Sequence, residues 1–518
     1  MEKRLLGSIV AAALIATTGV ADDTLSERFE KMEKEMSALK AEINALKAEN
    51  FKLGNASAAV EAEKKGEKTA SSPLEKSLDD LQDQISDLNK RTNGNHVKWD
   101  VDFRTSVDNL SYTMANGSKK ENDALLSNRL WLGMSYAANK NLSFVGQLAY
   151  NKLFGQRSMS PNPLAADGFD WVSGESAYDD TLRVRSAYFF YTDEELAGLD
   201  IPWTFSIGRR PSANGHLINL RDDDPVASPL AHTINVEFDG ASAKFGLGEL
   251  SGLEGSYIKF CAGRGMSDAE PRFDPAPYSS SSAKTNSIDM AGIIAVPYDD
   301  KQYSTGFQYT YANNLIDITD NGMVNNSNPP STSGAPVYTF EPVGGLHTAT
   351  AFVSINGIGD EWSDYLEDST FFISGAMSKT DPYGGKTMLG STESKTGYSY
   401  WMGLQMPSLV SDEGKWGVEF NHGSQYWRPI TYAEDTLIGS KIAARGDAYE
   451  VYFTEPLVDD ILSFQLRYTY IDYDYSGSNG FFGSASGTPM AIGDIPVPMQ
   501  GSIVDKAQDI RAYIRYKF

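Results

Sequence analysis

The sequence of 518 residues carries a formal net charge of −24, and aromatic residues make up 11% of it. This acidic balance argues against a nucleic-acid-binding protein, and the single cysteine, Cys261, excludes an internal disulfide framework. Apolar residues make up only 41% of the chain, and no run of about 18 of them follows residue 21. This pattern excludes a helical membrane protein, so only β structure could carry the chain through a bilayer.

Residues 1–21 have the layout of a secretory signal peptide. The basic pair Lys3 and Arg4 precedes an apolar stretch, and residues 19–21 (Gly-Val-Ala) offer a small-residue cleavage site. The apolar stretch is too short to span a bilayer comfortably as a helix. We therefore predict export, with cleavage after Ala21.

Residues 22–91 predict a coiled-coil stalk with a linker at residues 54–72. Apolar residues recur at the heptad spacing of four and three, at Leu25, Phe29, Met32, Met36, Leu39, Ile43, Leu46 and Leu53, and again at Leu74, Leu78, Leu81, Ile85 and Leu88. Asn50 falls in the first seam, where a buried amide typically fixes register or oligomer state. Self-association is the expectation, and by local rules the seam suits a dimer. The alternative is a solitary amphipathic helix that lies on the following domain.

Residues 97–518 alternate between apolar and polar side chains over many long segments, which predicts strands with a different solvent on each face. Seventeen candidates lie at residues 97–107, 126–137, 142–152, 181–192, 201–210, 231–238, 241–248, 253–262, 286–297, 302–313, 345–356, 368–379, 395–406, 414–425, 441–455, 461–475 and 505–518. The weakest two, 231–238 and 241–248, are alternatively one irregular hairpin. Because single-chain bacterial barrels favour even numbers, we predict an all-β transmembrane barrel of about 16 antiparallel strands, with 18 as the alternative.

The competing architecture, a soluble sandwich array or propeller, would have strands of about five or six residues. The closing segment argues most clearly against it. Residues 505–518 alternate strictly and end on an aromatic residue, a pattern that resembles the C-terminal signature of bacterial outer-membrane barrels. That resemblance assigns Tyr516 and Phe518 to barrel closure and to an assembly signal. The neighbour of this strand in space would be the strand of residues 97–107.

A charged constriction is the candidate functional site. Segment 211–230 carries three prolines and is too long for a tight turn, so we expect a structured loop that folds into the lumen. Its charged residues would face arginines on the inferred inner faces of nearby strands and create a transverse field. The predicted site comprises Arg104, Arg129, Arg183, Arg185, Arg210, Arg221, Asp222, Asp223 and Asp224. The alternative is a solvated loop with ordinary rim charges.

The residues offer little chemistry beyond a channel. His422 and Ser424 share a strand face, but Asn421 does not, and no G-x-S-x-G elbow is present. With five scattered histidines and one cysteine, we expect no transition-metal site, no cofactor and no enzymatic activity.

Four features together resemble a largely uncharacterised family of proteobacterial outer-membrane, porin-like proteins with a short coiled coil before the barrel. They are the stalk, Gly208-Arg209-Arg210-Pro211, residues 422–427 (His-Gly-Ser-Gln-Tyr-Trp) with 444–446 (Ala-Arg-Gly), and the terminal Phe518. The resemblance covers nearly all of the mature chain and implies a channel without naming a solute. Porin precedent favours a trimer over the dimer that the seam suggests.

The expected function is therefore an outer-membrane porin, a passive diffusion channel for small hydrophilic or ionic solutes, with its stalk in the periplasm. The alternative is a structural anchor whose coiled coil tethers the outer membrane to peptidoglycan or to a periplasmic partner, without significant transport. Expected partners are outer-membrane lipid and lipopolysaccharide, the barrel assembly machinery and further copies of the chain, but no nucleic acid.

Overall fold

The computed structural model describes residues 97–154, 182–266, 287–323, 336–359, 362–411, 413–431, 436–478 and 487–518. All of them belong to one compact unit, residues 91–518. The signal peptide, the coiled-coil stalk and Asn50 lie outside the described residues and stay predictions. None of the helices among the described residues is long and apolar enough to cross a membrane.

The described residues form sixteen long strands that pair antiparallel with their neighbours along the chain, together with one two-residue strand, β14. The strands are β1 (Lys98–Met114), β2 (Lys119–Ala137), β3 (Leu142–Leu153), β4 (Arg183–Asp193), β5 (Trp203–Ser212), β6 (Ile234–Gly246), β7 (Tyr257–Met266), β8 (Ile288–Asp299), β9 (Tyr303–Met323), β10 (Pro336–Asn356), β11 (Thr370–Pro382), β12 (Thr396–Pro407), β13 (Lys415–Gly423), β14 (Ile430–Thr431), β15 (Gly446–Val458), β16 (Leu462–Tyr473) and β17 (Val504–Lys517).

Short helices occur only in the connections of the described part. They are α1 (Ile218–Asp222), α2 (Gly248–Ser251) and α3 (Asp364–Glu367), with 3-10 turns at Lys441–Ala443 and Ile492–Asp494.

The barrel closes where the last strand meets the first. β17 pairs with β1 from Lys517 opposite Asp102 to Val504 opposite Met114. The backbone of Phe518 is part of this seam, because its N–H donates to the carbonyl of Val101 at 2.9 Å. Closure confirms the predicted barrel of 16 strands and the predicted neighbour of the closing strand. It also leaves no strand edge unpaired in lipid, where an unpaired edge would be costly.

The faces of the barrel wall are inverted relative to a soluble protein. In β17, Ile510 and Ile514 are 49% and 46% exposed on the outside, whereas Arg511 and Arg515 are 2% and 6% exposed on the inside. The same outward apolar pattern recurs around the ring, for example at Phe103, Val107, Phe205, Ile207, Phe260, Phe307, Val353, Ile373, Val451 and Leu466. Apolar residues facing outward and charged residues facing inward are the arrangement of a barrel that spans a membrane.

This arrangement predicts the effect of a charge on the outer face. Val451 lies near the middle of β15 and is 47% exposed. We expect Val451→Arg to lower the free energy of unfolding in lipid vesicles by about 2–4 kcal/mol, because the guanidinium would sit in hydrocarbon. The matched control is Val497→Arg in the loop before β17, where Val497 is 78% exposed and we expect a change within about 0.5 kcal/mol. Equal effects of the two substitutions in urea titrations would contradict the lipid-facing assignment.

Two connections differ from the sequence-based expectation. Residues 314–344 were expected to form a long loop, but β9 runs to Met323 and β10 starts at Pro336. Pairing continues through this region, for example between Asp320 and Tyr338, because register shifts at the prolines and glycines absorb the irregular backbone. The weak candidates 231–238 and 241–248 form one strand, β6, which reduces the seventeen candidates to sixteen long strands.

Candidate pore constriction

Two chain segments fold back into the lumen of the barrel. The first, here called the crossing loop, comprises residues 213–233 between β5 and β6, and its Ile218 and Ala231 have no exposed surface. The second, the lining segment, lies between β13 and β15 within residues 424–445, and its Trp427 and Ile442 are equally buried. The segments meet where β14 pairs in parallel with Ile234 and Asn235 at the start of β6. The lumen is therefore substantially narrowed from within.

The crossing loop packs on the barrel wall through an apolar contact. Leu217, Ile218 and Leu230 form one buried cluster with Phe352, Phe372 and Trp401 of strands β10, β11 and β12. Apolar burial of this kind contributes about 1.5–3 kcal/mol for each large side chain. The loop is thus held against the wall by its own sequence.

His232 adds a polar clamp at the end of the loop. Its Nδ1 lies 2.8 Å from the Ser374 hydroxyl and its Nε2 lies 2.9 Å from the Ser399 hydroxyl. The rings of Trp401 and Trp427 stand edge-on to the imidazole, each with its centroid 5.7 Å away. Both ring nitrogens are satisfied without a charged partner, so this environment favours a neutral imidazole.

The tip of the loop reaches the opposite side of the ring. Gln405 of β12 donates to the carbonyl of Leu220 at 2.7 Å, and Gln465 of β16 donates to that of Arg221 at 2.9 Å. Arg515 of β17 donates to the carbonyl of Asp222 at 2.9 Å. Since β12 to β17 lie about half a ring away from β5 and β6, helix α1 spans the lumen.

The acidic residues of the tip are paired with cations of that far wall. Asp223 lies 2.7 Å from Lys415, and Asp224 lies 3.0 Å from Arg515 and 2.6 Å from Lys517. These three cations were not among the predicted site residues. The sequence offered one signal, because Arg515 and Lys517 occupy the charged face of the closing strand, but alternation alone does not identify what lies across a lumen.

The predicted arginines line the wall from β1 to β5. Arg104 lies over the ring of Tyr513 at 5.1 Å and Arg210 over that of Tyr188 at 4.4 Å, whereas Arg183 is exposed at the start of β4.

Acidic residues pair with two further predicted arginines. Arg129 lies 3.3 Å from Asp102, and Arg185 lies 2.7 Å from Glu237. Asp102 also lies 2.7 Å from Arg515 and so connects this wall to the far side of the tip.

A buried ion cluster joins both inward segments to the wall. Glu450 of β15 contacts Lys441 of the lining segment and lies 3.4 Å from Arg221 of the crossing loop. It also accepts a hydrogen bond from Thr469 of β16 at 2.7 Å. Lys441 in turn lies 2.7 Å from Glu419 of β13. One carboxylate thus holds a loop, a segment and two strands in a fixed arrangement.

The clamp predicts a dependence on pH. Burial lowers the pKa of His232 from 6.5 to about 3, whereas an undocked loop would restore the ordinary value. Between these two pH values the undocked loop binds a proton that the docked loop excludes, so docking weakens as the pH falls. The loss approaches about 1.4 kcal/mol per pH unit. His216 in the same loop, whose pKa burial lowers to about 4, acts in the same direction.

Hydrogen exchange of residues 213–233 between pH 7 and 4, corrected for intrinsic rates, measures this loss. His232→Gln should keep both serine contacts and reduce the slope, whereas His347→Gln, on β10 away from the loop, should leave it unchanged. An unchanged slope in His232→Gln would show that docking is not coupled to this imidazole.

Comparison with known proteins gives a family but no activity. A family model described as "Protein of unknown function (DUF3373)" matches residues 119–518. No curated protein matches the chain. Among the described residues, no group of three His, Cys, Asp or Glu side chains could hold a metal ion.

Several solved outer-membrane proteins are similar over most of the chain. In-vitro folded OmpT of Vibrio cholerae is 11% identical over 82% of this chain and 97% of its own, with a TM-score of 0.42. Pseudomonas putida OprB is 12% identical over 84% of this chain and 96% of its own, with a TM-score of 0.44. Salmonella typhi OmpF, in complex with daunomycin, is 10% identical over 82% and 99%, with a TM-score of 0.41.

Proposed function

Because the chain belongs to the family described as protein of unknown function (DUF3373), a description that names no activity, we propose its function from its own geometry. It is an outer-membrane porin, a passive diffusion channel for small hydrophilic or ionic solutes with a charged constriction. The observation that carries this proposal is the crossing loop. It leaves the wall at β5, spans the lumen and is tied to the far wall by Asp223 and Asp224.

The mechanism is size exclusion combined with local charge. The loop divides the lumen, so a solute must fit between the loop and the remaining wall. Asp222, Asp223 and Asp224 place acidic groups on the loop, and Arg104, Arg129, Arg185 and Arg210 place cations on the wall that it faces away from the tip. Charges arranged around a narrow aqueous path set which ions enter it.

Conductance of the purified full-length protein in planar bilayers tests this function. Discrete, ion-passing steps are expected, together with vesicle swelling in small sugars and not in large ones. Folding of each preparation is checked by its heat-dependent shift on a gel. Correctly folded protein that never gives discrete steps would overturn the channel.

We also propose that residues 22–91 form a periplasmic stalk and that copies of the chain associate through it as a homo-oligomer, with a trimer favoured. The heptad seam supports association. Both ends of the barrel unit, Lys98 and Lys517, lie at the end that carries the tight turns, such as residues 459–461. Deleting residues 24–91 should lower the oligomeric state on native gels, and an unchanged state would remove this role from the stalk.

The stalk equally suits a structural anchor that holds the outer membrane to peptidoglycan or to a periplasmic partner. A folded protein without conductance whose loss detaches the envelope would favour the anchor over the channel.

A further inference from the structure

Three cations on the inner wall differ from the others in this barrel. They are Arg210 on β5, Lys244 on β6 and Lys259 on β7. Lys244 and Lys259 stand directly opposite each other in the strand register. Like charges in this position destabilise a sheet, so the fold keeps the pair at a cost in stability.

Neutral groups hold all three side chains. The Arg210 guanidinium lies 4.4 Å from the centre of the Tyr188 ring, and the Lys244 ammonium lies 3.9 Å from that of Tyr257. Lys259 donates a hydrogen bond to the Ser228 hydroxyl of the crossing loop at 2.6 Å. Aromatic faces and a hydroxyl stabilise a cation without cancelling its charge.

Most of the other inner cations show the opposite arrangement. Arg129, Arg185, Arg221, Arg428, Lys441, Arg511 and Arg515 each lie within ion-pair distance of an acidic side chain. None of the three cations on β5, β6 and β7 has such a pair among the described residues. Their positive charge therefore stays available to a mobile ion.

A cavity lies between two of these cations. Arg210 and Lys259 line a space of ≈ 40 Å³ together with the hydroxyl groups of Ser212, Ser242 and Thr310. A single water needs about 10–15 Å³ by this measure, so the space holds about three waters or one small anion. Both cationic side chains are half-buried, which leaves them within reach of the lumen.

We propose that this cavity is a binding station for small inorganic oxyanions, such as phosphate or sulfate, and that it makes the channel prefer anions. A guanidinium, an ammonium and several hydroxyl donors converge on one space, which is the chemistry that recognises an oxyanion. The station lies beside the crossing loop, so an ion that passes the constriction meets it. The preference for anions rests on the proposed channel function, but binding at the cavity does not.

Cys261 provides a test at the site itself, because it lines the same cavity and is the only cysteine in the chain. A methanethiosulfonate reagent forms a mixed disulfide with this thiol and releases a sulfinate. We expect the reagent with a sulfonate group to react about tenfold faster than its trimethylammonium analogue, after each rate is normalised to a free thiol. Added sulfate or phosphate should slow the reaction.

The double variant Lys244→Gln/Lys259→Gln should abolish the charge preference of labelling. Lys395→Gln is the matched control, because Lys395 also lies over an aromatic ring, that of Tyr426 at 5.4 Å, but away from the cavity. Equal normalised rates, or no reaction with either reagent, would overturn the station.

The reversal potential in a potassium chloride gradient separates the two proposals. Anion preference that the double variant loses supports both. Discrete conductance without anion preference would leave the channel standing and overturn this inference. Labelling of Cys261 that prefers the anionic reagent in a protein without conductance would support the station and overturn the channel.

Discussion

Replacing Glu450 with glutamine is expected to lower the free energy of unfolding by about 3–5 kcal/mol, the range for removing one partner of a buried ion pair. Glutamine keeps the shape of the side chain and still accepts a hydrogen bond from Thr469. The substitution therefore removes charge rather than volume. Lys441 and Arg221, which are 2% and 1% exposed, would lose the carboxylate that they share.

Urea titration in lipid vesicles, followed by tryptophan fluorescence, measures this loss. Glu393→Gln is the control, because Glu393 is exposed in the connection between β11 and β12 and should change stability by no more than about 0.5 kcal/mol. If Glu450→Gln stays within 1 kcal/mol of that control, measured to about the usual error of such extrapolations, the cluster is not the joint between the inward segments and the wall.

The sequence is sufficient for the wall because alternation is a local signal. Each strand needs only its own residues to show which face meets lipid, and closure follows from the final strand. The misleading position was Gly240, which resembles a turn between two short strands. The structure keeps Gly240 within β6, where a Cβ atom would approach the carbonyl oxygen of Ala262 to 2.3 Å. Glycine here permits a close approach of two strands and does not mark a turn.

The interior is less accessible to sequence reasoning. The prolines and length of segment 211–230 predicted an inward loop, and the loop does fold inward. Its partners were out of reach, because Gln405 and Arg515 lie far along the chain and face a lumen that has no periodicity of its own. The lining segment carried no signal either, since residues 441–445, expected to begin a strand, form a buried turn before β15.

Replacing Ile218 with aspartate is expected to release the crossing loop and to raise single-channel conductance severalfold. Ile218 has no exposed surface and packs in the apolar cluster inside the barrel. An isolated carboxylate is far more costly to bury than to hydrate. The loop should therefore leave its site rather than bury the charge, and the narrowing should go with it. Hydrogen exchange of residues 213–233 should rise in parallel, a readout that does not depend on conduction.

Val226→Asp is the matched control, because Val226 belongs to the same loop and is 71% exposed. It introduces the same charge a few residues away, so an effect of charge on the permeating ion would appear in both variants. An effect of loop release appears only in Ile218→Asp. Equal conductance in the two variants, with equal exchange, would mean that the crossing loop stays in place without its apolar contact. In that case the ion pairs of Asp223 and Asp224 with the far wall would be what holds it across the lumen.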